Sequence, residues 1–447
     1  MTTPLDVQTE CRAHFPALQG GYIFADNAGG SQCLKDVVDR ISDYLLNSNA
    51  QLGADYSVSV ISTKRATVDP QKSAAVLFNA ESPEEISFGS SSTMLVENLA
   101  RAMGPQINEG DEFIVSFADH ETNIGPWVRL ASRAKATLIP WQARPVSPND
   151  NPFHVELSLD DLKGLITSKT RIVAFTACSN ILGAWTRPKE VAALIRRVAR
   201  EKGARKVEIC VDCVAYAPHR RIDVRDWDVE YAFFSYYKVY SPHVSVLYSR
   251  KSSLDNSLTS LSHYFLKDYT AGYLKLQPGG PGYEVPYGTT GVLPYLLSLA
   301  GSVGVGDRSE SELLDGAFQR IAAHEEDLMK PIIGFLLSEE AKKAGVRIVG
   351  PESANKQVRA PTISFVVVGQ DGKTKRLHSK DVVAEFDSQG GIGIRYGYFY
   401  SHRLLSRPDF GTDPNDGVIR VSLLHYNTIE EVQKIADILK RLIVSSN

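Results

Sequence analysis

The sequence predicts an α/β protein: a large domain on a mostly parallel sheet between helices, joined to a smaller α+β domain. Three observations lead there. From about residue 21 to 295, short apolar runs rich in Val, Ile and Phe alternate with amphipathic helical stretches. Beyond that, the alternation gives way to a long helix, two strand runs and a closing helix. The chain has 447 residues, enough for one very large or two ordinary domains. The expected division is 20–295 for the large domain, with 1–19 and 296–447 forming the small one.

Taken in order, residues 1 to about 20 read as an arm with a short helix. Strands are expected at Ile86–Phe88, Glu112–Ser116, Arg171–Thr176, Val207–Val211 and Val244–Tyr248. Helices follow some of them, as at Met94–Met103 and Lys189–Lys202. Pro278-Gly279-Gly280-Pro281-Gly282 marks a loop near the boundary. In the last third, a helix over Glu310–Leu337 precedes strands Thr362–Val368 and Val418–Ser422. The closing helix covers Thr428–Val444, with Glu430 and Glu431 in its first turn, where acids suit the helix dipole.

Hydrophobic residues make up 43% and charged residues 23%, an ordinary globular balance. A formal net charge of −3 gives no reason to expect nucleic acid or an anionic membrane as partner. No apolar run reaches the roughly 18 residues that span a bilayer. Met1-Thr2-Thr3-Pro4 does not open a signal peptide. Five cysteines in so long a chain do not make a disulfide framework, so a reducing cytoplasm is expected. Cys210 and Cys213 have redox spacing, yet in a strand positions i and i+3 face opposite sides, so they read as packing residues.

The chemistry centres on Lys238, in Phe234-Ser235-Tyr236-Tyr237-Lys238-Val239-Tyr240-Ser241-Pro242. It lies 26 residues after Asp212, which ends an apolar strand. A lysine so placed can hold the aldehyde of pyridoxal 5'-phosphate as a Schiff base. An acid such as Asp212 would keep the pyridine nitrogen protonated, so that the ring accepts electrons. The other parts such a cofactor needs occur in a workable order. Ser91, Ser92 and Thr93 open a helix after a strand, where backbone N–H groups and hydroxyls hold a phosphate; the same serines also serve as a plain helix cap. His120 follows the strand at Phe113 and can lie on the pyridine ring. Asn180 follows another strand, where its amide reaches a ring oxygen or makes a turn. Arg420 sits in the apolar run Val418-Ile419-Arg420-Val421-Ser422; it suits a bidentate clamp on an amino acid carboxylate or an internal salt bridge. No Walker-type phosphate loop and no zinc helix is present, and no metal is expected.

On these residues the chain resembles the class V aminotransferase branch of the fold-type I pyridoxal phosphate enzymes, and within it the cysteine desulfurase-like proteins. The resemblance runs from about Tyr22 to the final helix. It is carried by Ala25-Asp26-Asn27-Ala28-Gly29-Gly30, His120 to Trp127, Ser179-Asn180 with Gly183, Asp212 to His219, Ser235 with Lys238, and Arg420 to Thr428. It implies a seven-stranded, mostly parallel sheet and a homodimer with shared active sites. It implies catalytic roles for Lys238, His120 and Asp212. Cofactor contacts are implied for Ser91, Ser92, Thr93, Asn180, Ser235 and Tyr237, and, from a segment that reaches the phosphate across the dimer, for Tyr287 or nearby Thr289 or Thr290; substrate contacts are implied for Asn27, Arg395, Tyr400 and Arg420.

The departures bear on the reaction. Where the desulfurases carry a persulfide-forming cysteine in a mobile loop, this chain reads Arg395-Tyr396-Gly397-Tyr398-Phe399-Tyr400-Ser401, with Tyr400 at that place. Ala215 and Tyr237 replace a glutamine and a histidine of the family pattern. A phenol forms no persulfide. The reaction expected is therefore at Cβ of a small acidic amino acid, aspartate or cysteine sulfinate, whose leaving piece needs no thiol; Cβ then takes a proton or attacks an aldehyde co-substrate. Val214-Ala215, Pro218-His219-Arg220 and the Tyr237-Lys238 step resemble fungal members that couple aspartate decarboxylation to carbon–carbon bond formation. A transaminase, a carbon–sulfur lyase and a cofactor-binding relic stand as alternatives.

Overall fold

The computed structural model describes residues 3–147, 150–266, 272–280, 282–301, 308–372, 374–389, 391–408, 410, 413 and 415–444. Its centre is a seven-stranded sheet: β1 (Ile86–Gly89), β2 (Glu112–Ser116), β3 (Thr137–Trp141), β4 (Thr170–Thr176), β5 (Glu208–Asp212), β6 (Tyr231–Ser235) and β7 (Ser245–Ser249). The spatial order is β1-β7-β6-β5-β4-β2-β3. Only β7 runs against its neighbours; the pairings among β2 to β6 are parallel. Strands β4 to β7 are buried along their whole length, as continuous apolar runs covered by helices on both faces must be.

Two of these strands go beyond those expected. β3 is an edge strand carrying Pro140, where a missing N–H is tolerated. β6 hides in the aromatic run before Lys238. The two faces of the sheet carry separate apolar clusters. Cys210 packs with Phe113 and Ile172 on one, Cys213 with Val191 and Trp227 on the other, and both thiols are free.

The second sheet comprises β8 (Val346–Val349), β9 (Thr362–Val368), β10 (Lys375–Leu377), β11 (Arg395–Gly397) and β12 (Val418–Ser422). All its pairings are antiparallel, in the order β8-β9-β12-β11 with β10 on β9. The helix Ile429–Val444 buries Val432, Ile435, Ile438 and Leu439 in the same cluster as the inward residues of β9 and β12.

The arm is a five-residue π-helical turn, Val7–Cys11, capped by Asp6 and followed by 3-10 turns. Cys11, Phe15 and Leu18 join the large cluster, while Ile23 and Ala25 join the small one. The helix Glu310–Leu336 serves both, with Leu314 to Ile321 in the large cluster and Leu328 to Leu336 in the small one. The division into 20–295 against 1–19 with 296–447 stands as a proposal. In the boundary loop, Pro281 lies outside the described residues.

Candidate active site at the carboxyl edge of the sheet

Strands β4, β5 and β6 end side by side at Thr176, Asp212 and Ser235. A cavity of about 430 Å³ opens at that edge, the usual place for a ligand in a parallel sheet. Lys238 enters it from the turn Tyr236–Lys238 that follows β6. The lysine is only 6% exposed. Burial pushes its amine down to about 8, with the nearby charge of Arg420 acting the same way.

Asp212 faces the same cavity from the end of β5. Burial raises its acid to about 6, against the Val214 N–H and the charge of Lys238, which hold it lower. Its Oδ1 accepts the Val214 N–H at 2.8 Å. Among the described residues no basic side chain forms an ion pair with it. A buried acid left in that state fits a cationic ring nitrogen brought by a ligand.

Hydroxyls gather around the start of the twelve-residue helix Ser92–Met103. Ser92, Ser235 and Ser245 form a closed triangle, with Oγ separations of 2.7, 3.2 and 2.9 Å. Thr93 Oγ1 meets Thr122 Oγ1 at 2.8 Å. Ser91 caps the helix by accepting the Met94 N–H at 3.2 Å. Free backbone N–H groups and hydroxyls converge there without a fixed negative charge in the bonds they make, a suitable seat for a phosphate.

His120 lines the cavity between these groups. Burial, then the charges of Lys238 and Arg420, lower its ring to about 3, so it is neutral. Its Nδ1 accepts the Thr122 N–H at 3.1 Å, which fixes the proton on Nε2. Tyr400 lies beside it, ring centroids 4.9 Å apart at 37°. Tyr237 completes this wall and stacks on His243 at 4.9 Å.

Asn180 lines the cavity but spends most of its amide on the loop that carries Tyr400. Its Nδ2 donates to the Phe399 carbonyl at 2.9 Å, and its Oδ1 accepts from Ser401 Oγ at 2.8 Å. That loop needs holding: Phe399 and Tyr400 both adopt left-handed backbone angles, φ 48° and 58°. Arg420 lies behind it on β12, 1% exposed. It donates to Asp26 Oδ1 at 2.8 Å and to the Asn180 carbonyl at 3.2 Å, and its guanidinium sits 3.7 Å from the centre of the Phe399 ring.

Arg420 itself does not line the cavity, and four further expected contacts fall outside it. The Asn27 amide is saturated by Phe24 O, Ser422 O, Asn427 Oδ1 and the Tyr426 hydroxyl, and it ties the amino-terminal segment to the end of β12. Thr289 is fully buried, with its hydroxyl given to the Pro286 carbonyl. Tyr287 packs against Tyr44 and Arg65. Arg395 stands on β11 behind the loop, near Asp26.

The structure also adds residues that the sequence did not single out. Glu121, Thr122, Arg129, Thr176 and Cys178 line the cavity. Glu121 and Thr122 directly follow His120, so adjacency alone could have flagged them. Arg129 lies one helical turn beyond Gly125 and lines the cavity while half exposed and paired with Glu97. Cys178 is the single thiol in the wall. It is 1% exposed, and burial pushes it up to about 12, so it stays protonated and is no nucleophile.

A buried unpaired acid, an amine held near neutrality, a neutral imidazole and a hydroxyl-lined helix start together fit pyridoxal phosphate. Comparison with known proteins agrees. The family profile for class V aminotransferases matches residues 23–435. An aminotransferase-like protein of Gibberella zeae is 39% identical, over 95% of each chain. A nonribosomal peptide synthetase-like enzyme of Aspergillus fumigatus is 34% identical over 98% of this chain, though the match spans 27% of that longer protein. A cysteine desulfurase-like protein of Aspergillus flavus is 29% identical, over 98% of this chain and 91% of the other. In fold, the apo cysteine desulfurase of Thermococcus onnurineus superposes with a TM-score of 0.77 over 99% of both chains, at 23% identity. The chain belongs to the class V aminotransferase family and is a pyridoxal phosphate-dependent enzyme.

Proposed function

We propose that this enzyme breaks a bond at Cβ of a small acidic amino acid, aspartate or cysteine sulfinate, without an enzyme-bound persulfide. The observation that carries this reading is the absence of a usable thiol at the site. Tyr400 occupies the loop position beside His120, Cys178 is buried and protonated in the wall, and Cys11, Cys33, Cys210 and Cys213 do not line the cavity.

When bound, the cofactor supplies an electron sink for the bonds at Cα and Cβ. The chain's own residues supply the rest. Lys238 Nζ takes the Cα proton and returns it. Asp212 holds the proton on the ring nitrogen. His120 presents a neutral ring face. Arg420 holds the α-carboxylate, and Tyr400 screens the mouth from water. With aspartate, the Cβ–carboxylate bond breaks, carbon dioxide departs and the electron pair stays with Cβ. With cysteine sulfinate, the Cβ–sulfur bond breaks and sulfur leaves as sulfur dioxide, which hydrates to sulfite. Cβ then takes a proton, giving alanine, or bonds to the carbon of an aldehyde, giving a γ-hydroxy amino acid.

The test is a panel of amino acids, with and without benzaldehyde, read by mass spectrometry with Lys238→Ala as the blank. Alanine or a γ-hydroxy amino acid from aspartate or cysteine sulfinate is the expected result. Stoichiometric ketoacid release would instead favour a transaminase, and pyruvate from a cysteine conjugate a carbon–sulfur lyase.

A homodimer is part of the proposal. Val38, Leu45 and Leu46 on the helix Lys35–Asn47, Val58, Val60 and Ile61 on the helix Ser57–Thr67, and Tyr264 and Phe265 are apolar and exposed, as surfaces that meet a second copy would be. Action in the cytoplasm is proposed on the same footing, with five unpaired cysteines as its support. Among the described residues no helix is long and apolar enough to cross a membrane.

A further inference from the structure

Asp119, the residue before His120, is fully buried. Its Oδ2 accepts the Asn123 Nδ2–H at 2.8 Å, and Asn123 Oδ1 accepts the Trp127 indole N–H at 3.3 Å. These buried side chains form a ladder through the segment that carries His120. The Asn123 N–H closes the turn on the His120 carbonyl at 2.9 Å. Cys210 Sγ lies 3.9 Å from Asn123 Oδ1. Residues two apart on a strand share a face, so Asp212 points to the same side of β5 as Cys210. Two buried carboxyl groups therefore lie on one side of the sheet. Among the described residues neither forms an ion pair, and Asp119 Oδ1 has no hydrogen-bond partner. Two such acids in an apolar interior do not both stay ionised. Burial, then the charge of Asp212, push the Asp119 acid well above the ordinary aspartate value, while Ser116, Asn123 and the Thr176 N–H pull it down.

We propose that Asp119 is a positioning residue that keeps its proton while Asp212 is charged: it braces the turn of His120 without adding a second negative charge to the site. The protonated acid suits the ladder, since its carbonyl oxygen accepts from Asn123 and no unpaired charge is left buried. Asp212 ionises first, because the Val214 N–H and the charge of Lys238 favour its anion. This role holds whichever substrate bond breaks, so it goes beyond the reaction proposed above.

Infrared spectroscopy of the cofactor-loaded enzyme tests it. At neutral pH the wild type should show the carbonyl stretch of a protonated carboxyl group, displaced by isotope labelling of the aspartate carboxyls. Among the described residues the buried aspartates are Asp111, Asp119 and Asp212, and Arg205 pairs with the first. The labelled band should survive in Asp212→Asn and vanish in Asp119→Asn. If Asp119→Asn fails to fold, the band in Asp212→Asn still assigns the proton. Asp119→Ala leaves the Asn123 amide without its acceptor and should weaken cofactor binding about tenfold, read by titration of cofactor-free protein. Asp119→Asn keeps a neutral acceptor, so it should restore affinity to within about threefold and leave the pH midpoint of the visible absorption band in place. No labelled band in the wild type, a band that survives Asp119→Asn, or a displaced midpoint in that variant would each overturn the proposal, as would cofactor binding as tight in Asp119→Ala as in the wild type.

Discussion

The ring of Tyr400 lies 4.9 Å from that of His120, and the backbone carbonyl of Tyr400 accepts the Glu121 N–H at 2.8 Å. The aromatic loop is thus bonded at both levels to the segment that carries the imidazole. Arg403, shortly after Tyr400, forms a double hydrogen bond with Glu121 at 3.0 and 3.1 Å and closes the same contact from the other side.

Tyr400→Ala removes an aromatic contact of a kind worth about 0.5–1.5 kcal/mol. The KM for an aromatic aldehyde should rise by roughly twofold to tenfold. The half-reaction with the amino acid alone should change less. Stopped-flow absorbance of each half-reaction separates them, and an equal loss in both would show that Tyr400 does not choose the second substrate.

Cys178→Ala should keep turnover within about threefold of wild type, since a thiol pushed up to about 12 takes no part in transfer. The measurement is steady-state product formation. A fall to the Lys238→Ala background would restore a thiol route.

Lys238 is held down to about 8, chiefly by burial. Capture of the cofactor aldehyde needs the neutral amine, so the rate of reconstitution of cofactor-free protein should climb with pH and level off above about 8. An amine with the ordinary lysine value would keep climbing past 10. The rate is read from growth of the visible absorption band.

Burial pushes the Asp212 acid up to about 6 in the folded cofactor-free protein, from the ordinary aspartate value of about 4. The folded state keeps the proton longer, so this group's contribution to stability is full below pH 4 and is lost as pH rises through 6. Asp212→Asn has no such loss. In cofactor-free form the variant should gain on wild type between pH 4 and 7, by up to about 3 kcal/mol. With cofactor bound the order should reverse, because the carboxylate then pairs with the ring nitrogen. Thermal unfolding of both forms across that pH range checks the crossover, and parallel curves would remove Asp212 from the ring.

Much of the site was legible because it is local. Asp212 ends a strand, and Asn180, His120 and Lys238 each follow one within a few residues, so an apolar run and what comes after it place them on one sheet edge. The serines before the helix Ser92–Met103 announce themselves by capping chemistry. The contacts that the single chain does not bring to the cavity depend on long-range pairing. Asn27 reads as a substrate contact, yet it bonds Ser422 and Asn427 some 400 positions away. Thr289 turns its hydroxyl back into its own helical turn. Strand β3 was obscured by Pro140, which an edge position accommodates. No sequence pattern places Cys178 in a cavity wall or sets Arg395 opposite Arg420, since both depend on how distant segments pair.

The central claim is that Lys238 carries the cofactor with Asp212 at its ring nitrogen. Borohydride reduction of the purified enzyme, followed by peptide mass spectrometry, tests it most directly. The account predicts one modified peptide, containing Lys238, and none in Lys238→Ala. Modification at another lysine, or at none in protein shown to contain the cofactor, would contradict it.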